Sequence, residues 1–366
     1  MNKDKKPFES ALKVQQGIEQ PPQTNEEAIR KMAGKKSKVP DFNELFDGIK
    51  TGNRVLLSRA ITLIESSRDE HQQLAQTLIE KCLPLSGNSI RIGITGVPGV
   101  GKSTFIEAFG NHLTAIGKKV AVLAIDPSSQ ISKGSILGDK TRMEKLSSNP
   151  DAFIRPSPSA GTLGGVARKT RESIVLCEAA GFDVIIVETV GVGQSETAAR
   201  SMVDFFLLLQ LPGAGDELQG IKRGIMEMAD AIYVNKAEGD NMMRAKLAAS
   251  EISNALHLMP AHPSGWLTQV GLCSALSGSG IGEVWNTILD YEVHARKTNY
   301  FDRFRHEQEV NRFHQAILEL LQSDFASSAD IRHMNADLEK KVFSSQLSPY
   351  AAAQLIVARF YENLKH

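Results

Sequence analysis

The sequence predicts an α/β fold in which a doubly wound, mainly parallel sheet is preceded by helices and followed by a helical C-terminal arm. Short, nearly continuous runs of Val, Ile and Leu alternate with helix-like segments in the middle of the chain, as in parallel sheets covered on both faces. One run leads into a glycine-rich segment with the spacing of a phosphate-binding loop. After about Lys297 the strand pattern stops, and apolar residues recur at helical spacing.

Length and composition limit the classes of protein to consider. The 366 residues are about 2.4 times the roughly 150 residues of a common domain, which predicts one large domain with appendages or two domains. The 42 Lys and Arg balance the 42 Asp and Glu, which argues against nucleic-acid binding driven by bulk charge. The 3 Cys are far apart and fit neither a disulfide framework nor a CxxC site. We expect three reduced thiols.

No apolar run approaches the roughly 18 to 20 residues that cross a bilayer. The longest dense run, Phe205 to Leu211, is interrupted by Gln210. The N-terminus, Met1 to Glu9, is charged and lacks the apolar core of a secretion signal. We therefore expect a cytoplasmic protein whose partners include neither membrane nor nucleic acid.

The segments are expected in a definite order along the chain. Residues 1–40 are polar, which predicts a flexible or loosely docked N-terminal arm. Residues 41–86 carry apolar side chains at helical spacing and form an N-terminal helical segment. Residues 87–296 form the sheet domain, and 297–366 a helical arm. The predicted strands are Ile90 to Thr95, Val120 to Ile125, Val184 to Val187, Phe205 to Leu211, Ala231 to Val234 and Val270 to Ser274.

The apolar stripe of the C-terminal arm has two interpretations. Either it packs back on its own core, or it pairs with another chain, and the spacing alone favours neither. The stripe comprises Val310, Phe313, Ile317 and Leu320 or Leu321, with Leu338 and Val342 further on.

The segment from Gly96 to Ser103 matches the phosphate-binding pattern GxxxxGK[ST]. Glycines let successive backbone N–H groups point inward at a triphosphate, while Lys102 reaches the β- and γ-phosphates and the Ser103 hydroxyl can ligate Mg²⁺. A strand before the loop and a helix from Thr104 to Leu113 after it supply the expected context. The predicted nucleotide-binding residues here are Gly96, Val97, Pro98, Gly99, Val100, Gly101, Lys102, Ser103 and Thr104.

An acidic site is predicted beside the loop. Glu188 ends a buried strand three residues before Gly191. In phosphate-loop enzymes such a carboxylate holds Mg²⁺ or its water, and the glycine N–H can sense the γ-phosphate. A lone acid at a strand end would otherwise be a helix cap or a solvated turn. The candidate metal ligands are Ser103, Asp126, Asp139 and Glu188.

Base specificity is expected late in the sheet. Asn235-Lys-Ala-Glu238 is similar to NKxD, in which Asn contacts the base, Lys covers the ring and the carboxylate accepts from two donors on the guanine edge. Glu238 replaces the usual Asp and adds a methylene group, so guanine selectivity is expected, while the added length leaves its strength open. The segment Cys273-Ser274-Ala275-Leu276 is similar to the SA[KL] loop that assists guanine binding through backbone contacts.

Together these motifs resemble the MeaB/ArgK family of P-loop GTPases, the methylmalonyl-CoA mutase-associated GTPases. The resemblance covers roughly Leu45 to Arg296. It rests on the phosphate-binding loop, on Asp-Pro-Ser-Ser at 126–129, on Gly-Asp-Lys-Thr-Arg-Met at 138–143 and on Gly-Thr-Leu-Gly-Gly-Val-Ala at 161–167. Further segments are Glu-Thr-Val-Gly-Val-Gly-Gln-Ser-Glu at 188–196, Pro-Gly-Ala-Gly-Asp-Glu-Leu-Gln-Gly-Ile-Lys at 212–222 and Asn-Lys-Ala-Glu at 235–238.

The resemblance implies a GTPase of the SIMIBI type that binds a coenzyme-B12-dependent acyl-CoA mutase. Such a protein gates transfer of adenosylcobalamin, which belongs to the partner, and protects or reactivates the mutase. The resemblance also implies Mg²⁺ as cofactor, a homodimer formed through the C-terminal arm, and a cobalamin adenosyltransferase as a further partner. A partner-signalling loop is implied at Asp216, Glu217, Gln219 and Lys222, which without the family would read as a polar surface loop.

The catalytic candidates are Lys102, Asp139, Glu188 and Gln194. Lys102 and Mg²⁺ would neutralise charge on the phosphates while a positioned water attacks in line. Val192 occupies the place after Gly191 where a water-orienting Gln is familiar, and Gln194 is a weak candidate for that task. Slow intrinsic hydrolysis that is accelerated by the partner follows from this arrangement.

Three other functions remain open from the residues. An ATP-dependent kinase can use the same phosphate loop, although the NKxE and CSAL segments disfavour it. A GTPase that delivers a metal would need a His-rich or Cys-containing motif, and the 9 His here are scattered. A nucleotide-binding scaffold would show GTP-dependent association without turnover.

Overall fold

The computed structural model describes residues 41–125, 143–156, 163–189, 195–213 and 223–363. The predicted N-terminal arm at 1–40 lies outside the described residues. Among the helices of this part of the chain, none is long and apolar enough to span a membrane.

A seven-stranded sheet in the order β3-β2-β4-β1-β5-β6-β7 forms the centre of the fold, and its strand pairs are all parallel. This confirms the predicted fold class. The strands are β1 Ile90–Gly96, β2 Val120–Ile125, β3 Ala152–Arg155, β4 Val184–Thr189, β5 Phe205–Gln210, β6 Ala231–Val234 and β7 Gln269–Leu272.

Strand β3 was not predicted from the sequence. It has only four residues, of which Ala152 and Phe153 are buried, and it lies at the edge of the sheet beside β2. The predicted strands were detectable because β2, β4, β5 and β6 are buried along their whole length, which requires uninterrupted apolar runs.

Helices cover both faces of the sheet and continue beyond it. In chain order they are α1 Phe42–Lys50, α2 Arg54–Glu65, α3 Asp69–Cys82, α4 Lys102–Ala115, α5 Glu144–Ser148, α6 Leu163–Ala179, α7 Ser195–Arg200, α8 Arg223–Met228, α9 Met242–Leu256, α10 Ile281–Lys297, α11 Tyr300–Ser327, α12 Ala329–Phe343 and α13 Pro349–Asn363. Short 3-10 turns follow α3 at Leu83–Leu85 and precede α9 at Gly239–Asn241.

The N-terminal helices form part of the main core. Asn53 caps α2 by accepting hydrogen bonds from the backbone N–H groups of Val55 and Leu56. Ile61 and Leu78 are fully buried, in one cluster with residues of α6 and of one face of the sheet. The opposite face packs against α4 and α10.

The two halves of the C-terminal stripe have different surroundings. Val310, Phe313 and Leu321 on α11 are more than half exposed in the single chain. Leu338 is buried, and Val342 packs on the same small cluster, which joins α12 to α13. Packing within the chain therefore accounts for the second half of the stripe and leaves the first half uncovered.

Candidate nucleotide-binding site

The phosphate-binding loop connects the end of β1 to the start of α4 at the centre of the sheet. Gly99 and Gly101 have φ angles of 80° and 90°, a region that L side chains rarely adopt. A Cβ atom on Gly101 would also lie 3.2 Å from Nδ2 of Asn235. The glycines are therefore needed both for the curl of the loop and for the close approach of the segment after β6.

Lys102 begins α4 and folds back over the loop. Its Nζ donates a hydrogen bond to the carbonyl oxygen of Gly96 over 2.7 Å. Burial lowers the pKa of Lys102, and the carboxylates of Glu188 and Glu196 oppose this by favouring its charged form. A cation held in this way suits the neutralisation of a phosphate group.

Ser103 and Glu188 meet at the end of β4. The Ser103 hydroxyl donates to Oε1 of Glu188 over 3.3 Å, and Glu188 is only 5% exposed. Strand pairing fixes the carboxylate, because Glu188 lies opposite Ile94 of β1 and Ala124 of β2. A hydroxyl and a carboxylate oxygen are ligands that Mg²⁺ prefers, so these two side chains fit the predicted metal site.

Asn235 joins the segment after β6 to two other loops. Its Nδ2 donates to the carbonyl oxygen of Val100 over 2.8 Å, and its Oδ1 accepts from the backbone N–H of Ala275 over 3.0 Å. Lys236, with a φ of 61°, donates from Nζ to the carbonyl oxygen of Gly99 over 2.8 Å. The NKxE segment is therefore bonded directly to the phosphate-binding loop.

Glu238 presents a free acceptor in the same place. Its Oε2 atom is buried and has no hydrogen-bond partner among the described residues. A buried acceptor without a donor is costly, and a ligand with N–H groups would remove that cost. This feature fits the guanine edge that the sequence predicts at Glu238.

The second predicted base loop follows β7. Ser274 is fully buried, and its Oγ accepts from the backbone N–H of Ser277, which closes a tight turn. Ala275 is bonded to Asn235, whereas the side chain of Leu276 is 83% exposed. If Leu276 contributes to a base site, its backbone is the part available to do so.

Several predicted site residues lie outside the described residues, so the structure neither groups nor separates them. They are the metal candidates Asp126 and Asp139, the γ-phosphate and water candidates Gly191 and Gln194, and the partner-signalling residues Asp216, Glu217, Gln219 and Lys222.

Two features of the site have no role among the predicted site residues. Glu196, in the first turn of α7, is 1% exposed and acts electrostatically on Lys102. Its sequence signals are its place at the end of the 188–196 segment and its position at the start of the helix that follows Gly191. Thr189 and Thr95 share a hydrogen bond of 2.8 Å between their side-chain oxygens, which ties β4 to β1 below the loop.

Comparison with known proteins assigns the family. The sequence model of the methylmalonyl-CoA mutase-associated GTPase MeaB matches residues 57–330. The chain belongs to the MeaB family. It is 49% identical over 319 residues to a probable GTPase of Mycobacterium tuberculosis, an alignment that covers 86% of this chain and 95% of the relative.

Two further MeaB-family relatives carry informative names. The chain is 49% identical over 262 residues to the GTPase ArgK of Escherichia coli, covering 72% of this chain and 79% of ArgK. It is 44% identical over 328 residues to the mitochondrial methylmalonic aciduria type A homolog of Mus musculus, an alignment that covers 87% of this chain and 79% of the relative. This MeaB-family chain is accordingly a GTPase.

A solved structure shares the fold of this MeaB-family chain. It is described as a LAO/AO transport system kinase, with a TM-score of 0.70 and 37% identity. The match covers 87% of this chain and 97% of the other.

Proposed function

We propose that this GTPase is a chaperone of a coenzyme-B12-dependent acyl-CoA mutase of the methylmalonyl-CoA mutase type. In this role it gates the loading of adenosylcobalamin into the mutase and protects or reactivates the enzyme. The observation that carries the proposal is the family match over residues 57–330, because the family is described by its association with that mutase. The name of the mouse relative, which refers to methylmalonic aciduria, points to the same metabolism.

Hydrolysis of GTP is proposed to depend on charge neutralisation at the phosphate-binding loop. Lys102 leaves the carbonyl oxygen of Gly96 and binds the β- and γ-phosphates. Ser103 and Glu188 would hold Mg²⁺, with Asp126 and Asp139 as further candidate ligands, and the ion would neutralise phosphate charge. Gln194 remains the candidate for positioning the attacking water.

Guanine recognition is proposed to depend on Glu238 and Asn235. The buried Oε2 of Glu238 accepts from the guanine edge, and Asn235 holds the base loop against the phosphate-binding loop. Adenine presents an acceptor where guanine presents a donor, so the same carboxylate would disfavour ATP. This preference favours a GTPase over an ATP-dependent kinase on this fold.

We also propose that the chain works as a homodimer through its C-terminal arm. The support is the uncovered apolar stripe on α11, where Val310, Phe313 and Leu321 are 55%, 62% and 54% exposed. Apolar residues clustered in this way on one helix are typical of an interaction surface. A cobalamin adenosyltransferase is proposed as a further partner, and residues Asp216, Glu217, Gln219 and Lys222 are proposed to signal to the mutase.

Nucleotide-dependent association tests the chaperone role. The full chain is mixed with a candidate B12-dependent acyl-CoA mutase and analysed by size-exclusion chromatography with light scattering, in GDP or in a non-hydrolysable GTP analogue. We expect a complex whose stability differs between the two nucleotides. Absence of a complex in both states, with each protein folded and nucleotide bound, would contradict this pairing.

A further inference from the structure

Helix α7 lies between the phosphate-binding loop and the C-terminal arm. Its six residues span about 9 Å at 1.5 Å per residue. Glu196 in its first turn is buried and favours the charged form of Lys102. The helix contacts β1 and β4, the two strands that carry the loop and Glu188. One end of α7 is therefore at the phosphate site.

The C-terminal end of α7 is hydrogen-bonded to the N-terminal part of α11. Arg200, the last residue of α7, places its guanidinium 4.7 Å from the centre of the Phe304 ring and pairs with Asp230 over 3.3 Å. Gln308 of α11 donates to the carbonyl oxygens of Arg200 over 3.4 Å and of Val203 over 2.9 Å. Rotation or translation of α7 would disturb this set of contacts.

Arg171 of α6 forms a second bridge between the same two elements. Its Nη2 donates to Oγ of Ser201, directly after α7, over 2.6 Å. Its Nη1 donates to Oε1 of Gln315 on α11 over 3.2 Å. One guanidinium thus joins the end of α7 to the middle of the arm helix, two turns beyond Gln308.

The surroundings of Arg171 include an unpaired donor and an open cleft. Its Nε is buried and has no hydrogen-bond partner among the described residues, and no carboxylate of these residues lies within ion-pair distance of it. A cleft of about 550 Å³ lies beside it between α6, α7 and α11. The cleft is lined by small side chains such as Ala167 and Ala198, and also by Glu319. The cleft and the unpaired Nε leave room for a second arrangement of the bridge.

We propose that α7 transmits the state of the phosphate site to the C-terminal arm, and that Arg171 is the positioning residue that joins α7 to α11. When the first turn of α7 shifts with the bound nucleotide, Ser201 shifts with it. The guanidinium then either carries Gln315 along or exchanges partners within the cleft. The arm therefore differs between the GDP and GTP states.

Coupling of this kind is reciprocal. If the nucleotide changes the arm, then a change in the arm alters the preference for GTP over GDP by the same factor, typically about 5-fold to 150-fold. The inference rests on the GTPase activity and needs neither the mutase nor its cofactor. Its failure is therefore distinguishable from failure of the chaperone proposal.

The test is hydrogen exchange of the full chain, measured by mass spectrometry in GDP and in a non-hydrolysable GTP analogue with Mg²⁺. Because exchange reports the free energy of local opening, a coupling free energy expressed in the arm should make peptides from residues 300–327 of the wild type exchange at rates that differ by about 5-fold or more between the two states. In Gln315→Ala, and likewise in Arg171→Ala, we expect the difference in exchange rate between the two nucleotide states to fall below about 2-fold. The ratio of GTP affinity to GDP affinity should change from the wild-type value in the same variants.

Gln315→Ala keeps the test informative if Arg171→Ala is unstable, because Gln315 is exposed on α11. Gln322→Ala is the matched control, since Gln322 is an exposed glutamine on the same helix and should retain the wild-type difference. Equal exchange of residues 300–327 in both nucleotide states of the wild type would overturn the proposal. So would an unchanged difference in Gln315→Ala.

Discussion

The side-chain amide of Asn235 donates to the carbonyl oxygen of Val100 over 2.8 Å. The two residues are 135 positions apart in the chain, so this bond joins the NKxE segment after β6 to the phosphate-binding loop before α4. Because the opposite oxygen of the same amide accepts from Ala275, Asn235 fixes three loops at once. Nucleotide affinity should therefore depend on this side chain even where it touches no ligand.

Asn235→Asp tests that dependence. The substitution keeps the Oδ1 atom that accepts from Ala275. It replaces the Nδ2 donor with a second carboxylate oxygen, which then faces the carbonyl oxygen of Val100. Because Asn235 is 1% exposed, we expect a loss of about 1 to 3 kcal/mol in the free energy of unfolding and GTP binding weakened about tenfold. Denaturant titration and equilibrium GTP binding measure both. The exposed Asn311→Asp is the control, and equal behaviour of the two variants would contradict the structural role.

Lys102→Ala tests the phosphate site. The half-buried ammonium bonds to Gly96 in the structure and is proposed to move to the phosphates. We expect GTP hydrolysis to fall by about 100-fold or more while circular dichroism stays unchanged, because the removed charge acts on the transition state. Lys119→Ala removes an exposed lysine and should leave turnover intact. Turnover retained in Lys102→Ala would show that the phosphate site lies elsewhere.

Substitution of Glu238 tests the choice of base. Glu238→Asp restores the side chain that is usual at this place in the NKxD motif. The preference for GTP over ATP should therefore equal or exceed that of the wild type. Glu238→Ala removes the buried acceptor, and we expect the preference for GTP over ATP to fall by about tenfold or more. Competition between the two nucleotides gives the ratio. A shift of Glu238→Asp towards ATP would refute the assignment.

Much of this site could be predicted from the sequence because its motifs are local. The phosphate-binding loop and the NKxE segment each occupy a few adjacent residues, and the buried strands before them are nearly continuous apolar runs. The bond from Asn235 to Val100 could not be predicted in the same way, since it depends on the order of strands in the sheet. Arg171 gave no signal at all, because its partners Ser201 and Gln315 lie 30 and 144 positions away.

The C-terminal stripe shows another limit of sequence patterns. Phe313 and Leu338 have the same helical spacing of apolar neighbours, yet one is 62% exposed and the other 6% exposed. Periodicity identifies the apolar face of a helix but says nothing of what covers it. Strand β3 was missed for a different reason: Ala152–Arg155 is too short and too little buried to form a recognisable apolar run.

The three thiols should be protected in the folded protein. Burial raises the pKa of Cys82 to about 11 and that of Cys273 to about 12, and it also raises that of Cys177. The thiolate is the reactive form, so a disulfide reagent at pH 8 should label the native protein slowly and all three thiols quickly in guanidinium chloride. Fast labelling of a native thiol would contradict its burial.

The same shifts predict a direction for stability against pH. Each folded pKa lies above the ordinary value of 9.0, so the unfolded chain loses these protons first as the pH rises. The contribution of Cys82 is fully present below about pH 9 and is lost as the pH rises through about 11. Replacing Cys82 with Ala should flatten this part of the stability profile measured by denaturant titration.

The rate of GTP hydrolysis, measured alone and with a B12-dependent acyl-CoA mutase and with ATP as the control nucleotide, tests the central claim most directly. A chaperone GTPase should turn over GTP slowly by itself, should turn it over faster when the mutase is saturating, and should prefer GTP to ATP in both conditions. A rate that the mutase leaves unchanged, or an isolated protein that already hydrolyses GTP at its mutase-saturated rate, would contradict the proposed coupling to the mutase.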